Sequence, residues 1–137
     1  MYFMTSAKYL EVKKSTVPNA GKGLFTKTFI PKGCKIVEYK GKLTSWKNAN
    51  HHGGKNLYIF YVNKDHVIDA MNYKRMLARY ANDARGLIKV KGVKNNSEYI
   101  TENKRVFIKA IRDIPAGAEI FVGYGKDYWD VIKKMEE

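Results

Sequence analysis

Short runs that alternate apolar and polar residues recur along the whole chain, with turn signals between them. Alternation with a period of two is typical of half-buried β-strands, and glycine, proline or asparagine supplies the backbone conformations that hairpins and corners need. The runs are YLEVKK (9–14), GLFTKTFI (23–30), CKIVEYKGKL (34–43), LYIFYV (57–62), HVIDAM (66–71), EYITE (98–102), RVFIKAI (105–111) and EIFVGY (119–124). The turn signals are PNAGKG (18–23), IPKG (30–33), NK (63–64) and IPAG (114–117). This succession of short strands predicts a mainly β architecture of several small sheets.

Helix is predicted in two stretches. NYKRMLARYA at 72–81 places Met76, Leu77 and Tyr80 at three-to-four spacing, and KDYWDVIKKMEE at 126–137 is the second stretch. SWKNANHHGGKN at 45–56 is predicted to be an insertion, or a short helix followed by a loop. No linker or low-complexity segment divides the 137 residues, which are enough for one core, so a single domain is expected over 1–137.

One weak internal echo links the two halves of the chain. FIPKGCKIVEYKG at 29–41 and DIPAGAEIFVGYG at 113–125 both place an apolar residue and Pro-x-Gly before a strand. Similar turn chemistry explains the echo without a duplication.

The cysteine and histidine content argues against a metal. Cys34 is the only cysteine, which excludes an intramolecular disulfide and a zinc cluster of several cysteines within the chain. His51 and His52 stand beside two glycines with no cysteine or carboxylate nearby, so a solvated loop is favoured over a metal site. No apolar run approaches about 18 residues, and the N-terminus lacks a basic segment followed by an apolar block. We therefore expect no metal, no membrane segment and a soluble intracellular protein.

The chain is strongly basic. Lysine and arginine total 26 against 13 acidic residues, a formal net charge of +13. Such a charge attracts nucleic acid, acidic membranes and acidic proteins. The basic residues are dispersed, and runs such as Lys13-Lys14 and Lys133-Lys134 are typical of solvated faces more than of a shaped groove. An electrostatic association with nucleic acid is expected as a general tendency.

The stretch FVGYGKDYW at 121–129 has the composition of a functional site. Gly123 and Gly125 remove side chains from both sides of Tyr124, which lets backbone or ligand come close, and Tyr128 and Trp129 follow immediately. A tyrosine kept for packing would have bulky neighbours instead.

Four segments, taken in order, resemble the SET domain of protein lysine methyltransferases. They are NAGKGLF (19–25), similar to the family's GxG loop; KIVEYKGKL (35–43) with LYIF (57–60) and VIDA (67–70); ARYAND (78–83) with NNSEY (95–99), similar to the Arg-Phe-x-Asn-His-Ser segment and its downstream Pro-Asn; and EIFVGYG (119–125). The resemblance covers about residues 9–129, and YGKDYW at 124–129 is similar to small viral and bacterial SET proteins. It implies a fold of small curved sheets with a knot-like C-terminal segment and a few short helices. The domain core would span 9–125, and a C-terminal helix at 126–137 would complete the site.

The resemblance implies S-adenosyl-L-methionine as cofactor, S-adenosyl-L-homocysteine as product, and a role for individual residues. Tyr124 matches the catalytic tyrosine, and the channel for the substrate lysine would be lined by Tyr58, Phe60 and Tyr99. The cofactor would be held by Lys22, Gly23, Leu24, Arg79, Asn82, Asp83, Tyr124 and Trp129. Taken alone, the glycine loop would be better explained as a hairpin turn, Asn82 as a helix C-cap or turn, and any one of the tyrosines as core packing. For Trp129, an anchor for the C-terminal helix is an equal alternative.

The chain departs from the family pattern at three places. Asp83 stands where the family usually has His, so the contact with adenine would have to be made by its backbone. A longer segment, DARGLIKVKGVKN at 83–95, replaces the short Ser-Cys-x-Pro link. The cysteines of the zinc module that often completes the cofactor pocket are missing, and the aromatic C-terminal helix is the expected substitute.

The function implied is S-adenosylmethionine-dependent protein-lysine N-methyltransferase, acting on a histone or another basic or chromatin protein. A chain of net charge +13 would repel a basic tail unless acidic residues gather locally, and the candidates are Glu38, Asp65, Asp69 and Glu98. The alternatives are a catalytically inactive SET module that binds peptides and a basic nucleic-acid-binding β-protein. The location expected is cytoplasmic, or nuclear and chromatin-associated in a eukaryotic cell, and a homodimer is left open.

Overall fold

The computed structural model of the protein describes residues 5–54, 56–85 and 90–125. Within these ranges the chain forms nine short strands and three 3₁₀ helices, which confirms the predicted mainly β fold of several small sheets. The strands are β1 (Leu10–Lys14), β2 (Lys22–Thr26), β3 (Lys35–Tyr39), β4 (Lys42–Thr44), β5 (Ile59–Asn63), β6 (His66–Asp69), β7 (Ser97–Glu102), β8 (Arg105–Ala110) and β9 (Glu119–Ile120). The 3₁₀ helices are Ala7–Tyr9, His52–Gly54 and Leu77–Tyr80.

The strands are arranged in three antiparallel sheets of three strands each. Their orders are β1-β2-β9, β3-β8-β7 and β4-β6-β5. The sheets share one core, to which β2, β3, β8 and β9 contribute the fully buried Leu24, Ile36, Ile108 and Ile120. In β8 the alternating residues Val106, Ile108 and Ala110 are all buried against this core, and Phe107 between them is buried as well.

The two segments of the internal echo pair with each other. Ile30 and Ile114 form an antiparallel bridge in which each backbone N–H donates to the other's carbonyl at 2.8 Å. Each Pro-x-Gly that follows closes a turn, and Gly33 and Gly117 have φ angles of 92° and 88°, which glycine adopts at low cost. The two turns are thus matched corners of the core.

The C-terminal segment around β9 is held on several sides at once. Ile120 pairs with Leu24 of β2, Val122 N–H donates to the Asn82 carbonyl at 2.8 Å, and Ser97 N–H donates to the Phe121 carbonyl at 3.0 Å. Residues 121–122 therefore lie between the 82 and 97 regions, which are joined to each other by the chain from 83 to 96. This enclosure is the predicted knot-like arrangement.

The predicted helix over 72–81 is wrong, because the chain forms only the 3₁₀ helix Leu77–Tyr80 there. The carbonyls that an α-helix would use accept other donors. The Met71 carbonyl accepts a guanidinium N–H of Arg79 at 2.9 Å, and the Lys74 carbonyl accepts the Tyr80 hydroxyl. So short a helix is only marginally stable by itself. These hydrogen bonds to side chains therefore outweigh the helical preference of the sequence. The predicted helix at 126–137 lies outside the described residues.

No helix in the described ranges combines the length and apolar character needed to cross a membrane.

A substitution at Gly41 tests the packing of β3 and β4 against β6. A Cβ at this position would lie 2.4 Å from the Asp69 carbonyl oxygen and 2.9 Å from the Ala70 nitrogen, both backbone atoms that cannot rotate away. Gly41→Ala should therefore lower the free energy of unfolding by about 2–3 kcal/mol, as overpacking does. Urea denaturation measures this. The exposed neighbour Lys42→Ala is the control, with an expected change within about 0.5 kcal/mol; equal midpoints for the two variants would contradict the packing.

Candidate active site

Tyr124 is attached to the segment 81–83 at two points. Its hydroxyl donates a hydrogen bond to the Ala81 carbonyl, and its backbone N–H donates to Asp83 Oδ2 at 2.9 Å. Of the two flanking glycines, Gly125 has a φ of 94°, which glycine adopts at low cost, whereas a Cβ at Gly123 would meet only Asn95 Nδ2 at an ordinary contact distance of 3.4 Å. The backbone turn thus calls for glycine at position 125.

Asn82 lies between Ala81 and Asp83, the two bonding partners of Tyr124, and is hydrogen-bonded to the glycine loop. Its amide Nδ2 donates to the Lys22 carbonyl at 3.0 Å and lies 3.4 Å from Glu119 Oε2. The structure therefore brings together five of the residues predicted for catalysis and cofactor binding, namely Lys22, Gly23, Asn82, Asp83 and Tyr124. Leu24 follows in β2, with its side chain fully buried in the core and its backbone paired with Val12 of β1 and Ile120 of β9, so the structure does not bring it to the site.

Glu119 is a site residue that sequence reasoning missed. Its carboxylate is buried and accepts hydrogen bonds from Ser15 Oγ at 2.7 Å, Thr16 N–H at 2.8 Å and Thr16 Oγ1 at 2.6 Å. A Cβ at Gly23 would lie 2.3 Å from Glu119 Oε2. The close approach predicted at Gly23 is therefore made by the protein's own carboxylate. The available signal was an acid at the start of the otherwise apolar run EIFV (119–122).

An aromatic cluster lies on the other side of Tyr124. The Tyr99 ring stacks with Tyr124 at 6.4 Å between centroids, and Phe60 meets Tyr99 edge-on at 4.9 Å. Tyr39 lies 5.8 Å from Phe60 and 6.1 Å from Tyr99, so it joins the predicted channel residues. Sequence reasoning did not assign Tyr39, because the register of β3 shifts between Lys35 and Val37 and breaks the alternation that would have placed it.

Tyr58 and Arg79 form a separate pair behind this cluster. The Arg79 guanidinium carbon lies 3.9 Å from the centre of the Tyr58 ring, and its Nη1 donates to the Ala70 and Met71 carbonyls at 2.8 and 2.9 Å. The Tyr58 carbonyl accepts the Tyr39 hydroxyl at 2.8 Å, which connects the pair to the cluster. The structure thus places Arg79 beside a predicted channel residue, whereas the resemblance assigned it to the cofactor.

Trp129 and the predicted C-terminal helix lie outside the described residues. In the part of the chain that the structure covers, no three or more His, Cys, Asp or Glu side chains come together as ligands for a metal ion.

The acidic residues predicted to attract a basic tail do not form a free patch. Arg105 donates to Glu38 at 2.7 and 3.0 Å and holds the pKa of that carboxyl below its usual value. Asp69 Oδ1 accepts from Asn56 Nδ2 and Met71 N–H, both at 3.0 Å. Glu98 is exposed and opposite Lys109 in the β7–β8 ladder, and Asp65 is exposed at the β5–β6 hairpin.

Comparison with known proteins gives consistent family matches. The family model described as SET domain matches residues 21–125. The chain is 33% identical, over 96% of its length, to a protein named histone-lysine N-methyltransferase EZH2 from Chaetomium thermophilum, of which it covers 9%. It is 30% identical over 91% of its length to histone-lysine N-methyltransferase set-17 of Caenorhabditis elegans, of which it covers 44%. The chain thus spans less than half the length of each of these two relatives.

A solved structure has the same fold. The methyltransferase domain of human PR domain-containing protein 2 superimposes with a TM-score of 0.64, covering 92% of this chain and 90% of the other, at 21% sequence identity. This likeness establishes the architecture and confirms the predicted fold.

Glu119→Gln tests the buried carboxylate. Each oxygen accepts from a group that can only donate, Thr16 N–H on Oε1 and Asn82 Nδ2 on Oε2, so either orientation of the glutamine amide sets two donors face to face. We expect the free energy of unfolding to fall by about 1–3 kcal/mol, measured by urea denaturation. Glu102→Gln is the control, since that exposed carboxylate pairs with Lys35 at the surface and should change stability by less than about 1 kcal/mol. An equal loss in both variants would show that the Glu119 bonds add nothing specific.

Proposed function

The chain belongs to the SET domain family, and on that premise we propose that it is an S-adenosylmethionine-dependent protein-lysine N-methyltransferase. The observation that carries the proposal is the position of Tyr124. Its hydroxyl bonds to the residue before Asn82, Asn82 bonds to the glycine loop, and its ring stacks on the aromatic cluster. A phenol placed between polar groups and aromatic rings can align an amine with a methyl donor, and alignment is what methyl transfer to an amine needs.

The residues at the polar side fit the cofactor. Asn82 donates through Nδ2 only, and in the described residues no hydrogen bond uses its Oδ1, which leaves an acceptor suited to the ammonium of the cofactor's amino-acid end. The Asp83 side chain bonds to Tyr124, Arg85 and Asn95. Under the family resemblance, it is the backbone of Asp83 that would contact adenine. Lys22 and Gly23, at the start of β2, would contribute backbone groups, and Trp129 would pack against adenine or the channel mouth. When bound, S-adenosylmethionine supplies an electrophilic methyl group on a sulfonium.

The aromatic cluster would favour the neutral, reactive form of the substrate lysine. An ammonium has a reference pKa of about 10.4 and cannot attack until it loses its proton; desolvation among Tyr39, Phe60 and Tyr99 favours the neutral amine. Tyr124 already donates its hydroxyl proton to the Ala81 carbonyl. Its oxygen is therefore an acceptor that orients the amine N–H, and the proton released by the lysine leaves to water. Alignment of this kind lowers a barrier by several kcal/mol.

We infer a lysine of a histone or another chromatin protein as substrate. The relatives are named histone-lysine N-methyltransferases. Since three of the four acidic candidates face partners, the net charge of +13 would repel a free basic tail. The same charge attracts nucleic acid, so a substrate presented on nucleic acid fits the surface better than an isolated tail.

Tyr124→Phe is the test of the proposed reaction. Transfer of labelled methyl from S-adenosylmethionine to acid-extracted histones, free and on DNA, should fall about 100-fold, because the orienting oxygen is lost. Calorimetric affinity for S-adenosylmethionine should change less than threefold. Tyr61→Phe is the matched control, since that tyrosine is exposed and lies outside the cluster, and it should transfer methyl at the wild-type rate.

Two other outcomes would identify the alternatives. Affinity for S-adenosylmethionine without methyl transfer to either substrate would indicate an inactive peptide-binding module. Steeply salt-dependent DNA or RNA binding with no affinity for S-adenosylmethionine would indicate a nucleic-acid-binding β-protein.

A further inference from the structure

The carboxylate of Asp83 lies against the backbone of Tyr124 and not toward the glycine loop. We propose that Asp83, resting on the proposed function above, is a positioning residue: its side chain fixes the main chain of Tyr124 and thereby aims the phenol. Oδ2 accepts Tyr124 N–H at 2.9 Å, and the residue is 7% exposed. The bond joins the two segments that carry the proposed catalytic and cofactor-binding groups.

Asn95 completes the arrangement, which we term the Asp83–Asn95 clamp. Asn95 Nδ2 donates to Asp83 Oδ1 at 2.9 Å, and Asn95 Oδ1 accepts Ala84 N–H at 2.8 Å. Oδ1 of Asp83 also accepts Arg85 N–H at 2.8 Å. Three N–H donors therefore converge on one carboxylate, and Asn95 holds that carboxylate's own segment in place.

The clamp acts where the backbone ladder has ended. In the described residues the backbone hydrogen bonds of the C-terminal segment end at Val122, whose N–H bonds to the Asn82 carbonyl. Tyr124 lies two residues further, next to Gly123 and to Gly125 with its φ of 94°. Glycines on both sides give this stretch large backbone freedom, so side-chain bonds must restrict it. The carboxylate of Asp83 supplies such a bond to the main chain, while the Ala81 carbonyl receives the phenol.

A carboxylate suits this task better than the residue usual in the family. It is an acceptor only, and its bonds to backbone N–H groups are charge-assisted. A histidine, which the resemblance places here in most members, offers one acceptor nitrogen and loses it on protonation near pH 6.5. The clamp of this chain is thus independent of imidazole protonation.

Asp83→Asn and Asp83→His test the proposal through kinetics and amide exchange. In Asp83→Asn one oxygen becomes an NH₂ that faces N–H donors, so kcat on histones should fall about 10–100-fold, the effect expected of a small misplacement, with KM for S-adenosylmethionine changed less than threefold. Asp83→His should show a kcat that rises about tenfold from pH 5.5 to 7.5 relative to wild type, because only neutral imidazole accepts the N–H. Thermal unfolding at each pH confirms that the variants are folded during the assay.

A readout without turnover accompanies these measurements. The Tyr124 amide should exchange with solvent at least tenfold faster in Asp83→Asn than in wild type by NMR, since it loses its acceptor. Asp113→Asn is the matched control: it removes a carboxylate that accepts Lys32 N–H at 2.8 Å, exposed and outside the clamp, and should leave kcat and the Tyr124 exchange rate unchanged.

The outcomes separate this inference from the proposed function. Wild-type protein that transfers no methyl group would overturn the proposed function, while faster Tyr124 exchange in Asp83→Asn would still support the clamp. Active wild type with an equally active Asp83→Asn, or with a loss confined to KM, would overturn the positioning role alone. A pH-independent Asp83→His would do the same.

Discussion

The enclosure of residues 119–122 is the constraint on which the rest of the structure depends. β9 has only two residues in its ladder with β2, yet amide and hydroxyl side chains extend its bonding. Asn96 donates to the Glu119 carbonyl and accepts Phe121 N–H, both at 2.9 Å, and Ser97 Oγ donates to the Phe121 carbonyl at 2.7 Å. On the other side of the segment, Val122 N–H donates to the Asn82 carbonyl at 2.8 Å. Because this short segment is hydrogen-bonded on both sides, Asn82 and Tyr124 become neighbours although they are far apart in sequence.

The buried carboxylates of Glu119 and Asp83 shape two different sides of the region around Asn82. Glu119 holds the loop at Ser15 and Thr16 and fills the space at Gly23, so it shapes the side facing the glycine loop. Asp83 holds Tyr124 and shapes the opposite side. Both carboxylates lie beside backbone N–H groups that are not paired in a β-sheet and need a hydrogen-bond acceptor. A carboxylate supplies acceptors and has no N–H of its own. A chain whose net charge is +13 therefore keeps acids in its interior for bonding, while its basic residues are mostly at the surface.

The sequence was informative where structure follows local periodicity and uninformative where distant side chains decide. Alternation predicted the strands, and Pro-x-Gly predicted the corners at Gly33 and Gly117. The spacing of Met76, Leu77 and Tyr80 predicted a helix that Arg79 and Tyr80 prevent by occupying backbone carbonyls, a competition that no local pattern records. The glycine loop was identified, but the occupant of the space at Gly23, Glu119, comes from the far end of the chain.

The two surroundings of Tyr124 also limit which ligands suit it. Its polar bonds run to the Ala81 carbonyl and the Asp83 carboxylate, and its ring stacks on Tyr99. Since the hydroxyl proton is donated to the Ala81 carbonyl, the Tyr124 oxygen can act only as an acceptor toward any further group. Lone pairs and aromatic faces attract N–H groups and cationic or positively polarised carbon, and they repel phosphate or carboxylate. The basic surface thus favours anionic partners outside, whereas the interior favours an amine. Under the proposed function, this opposition would let one small domain associate with nucleic acid and still accept a lysine side chain.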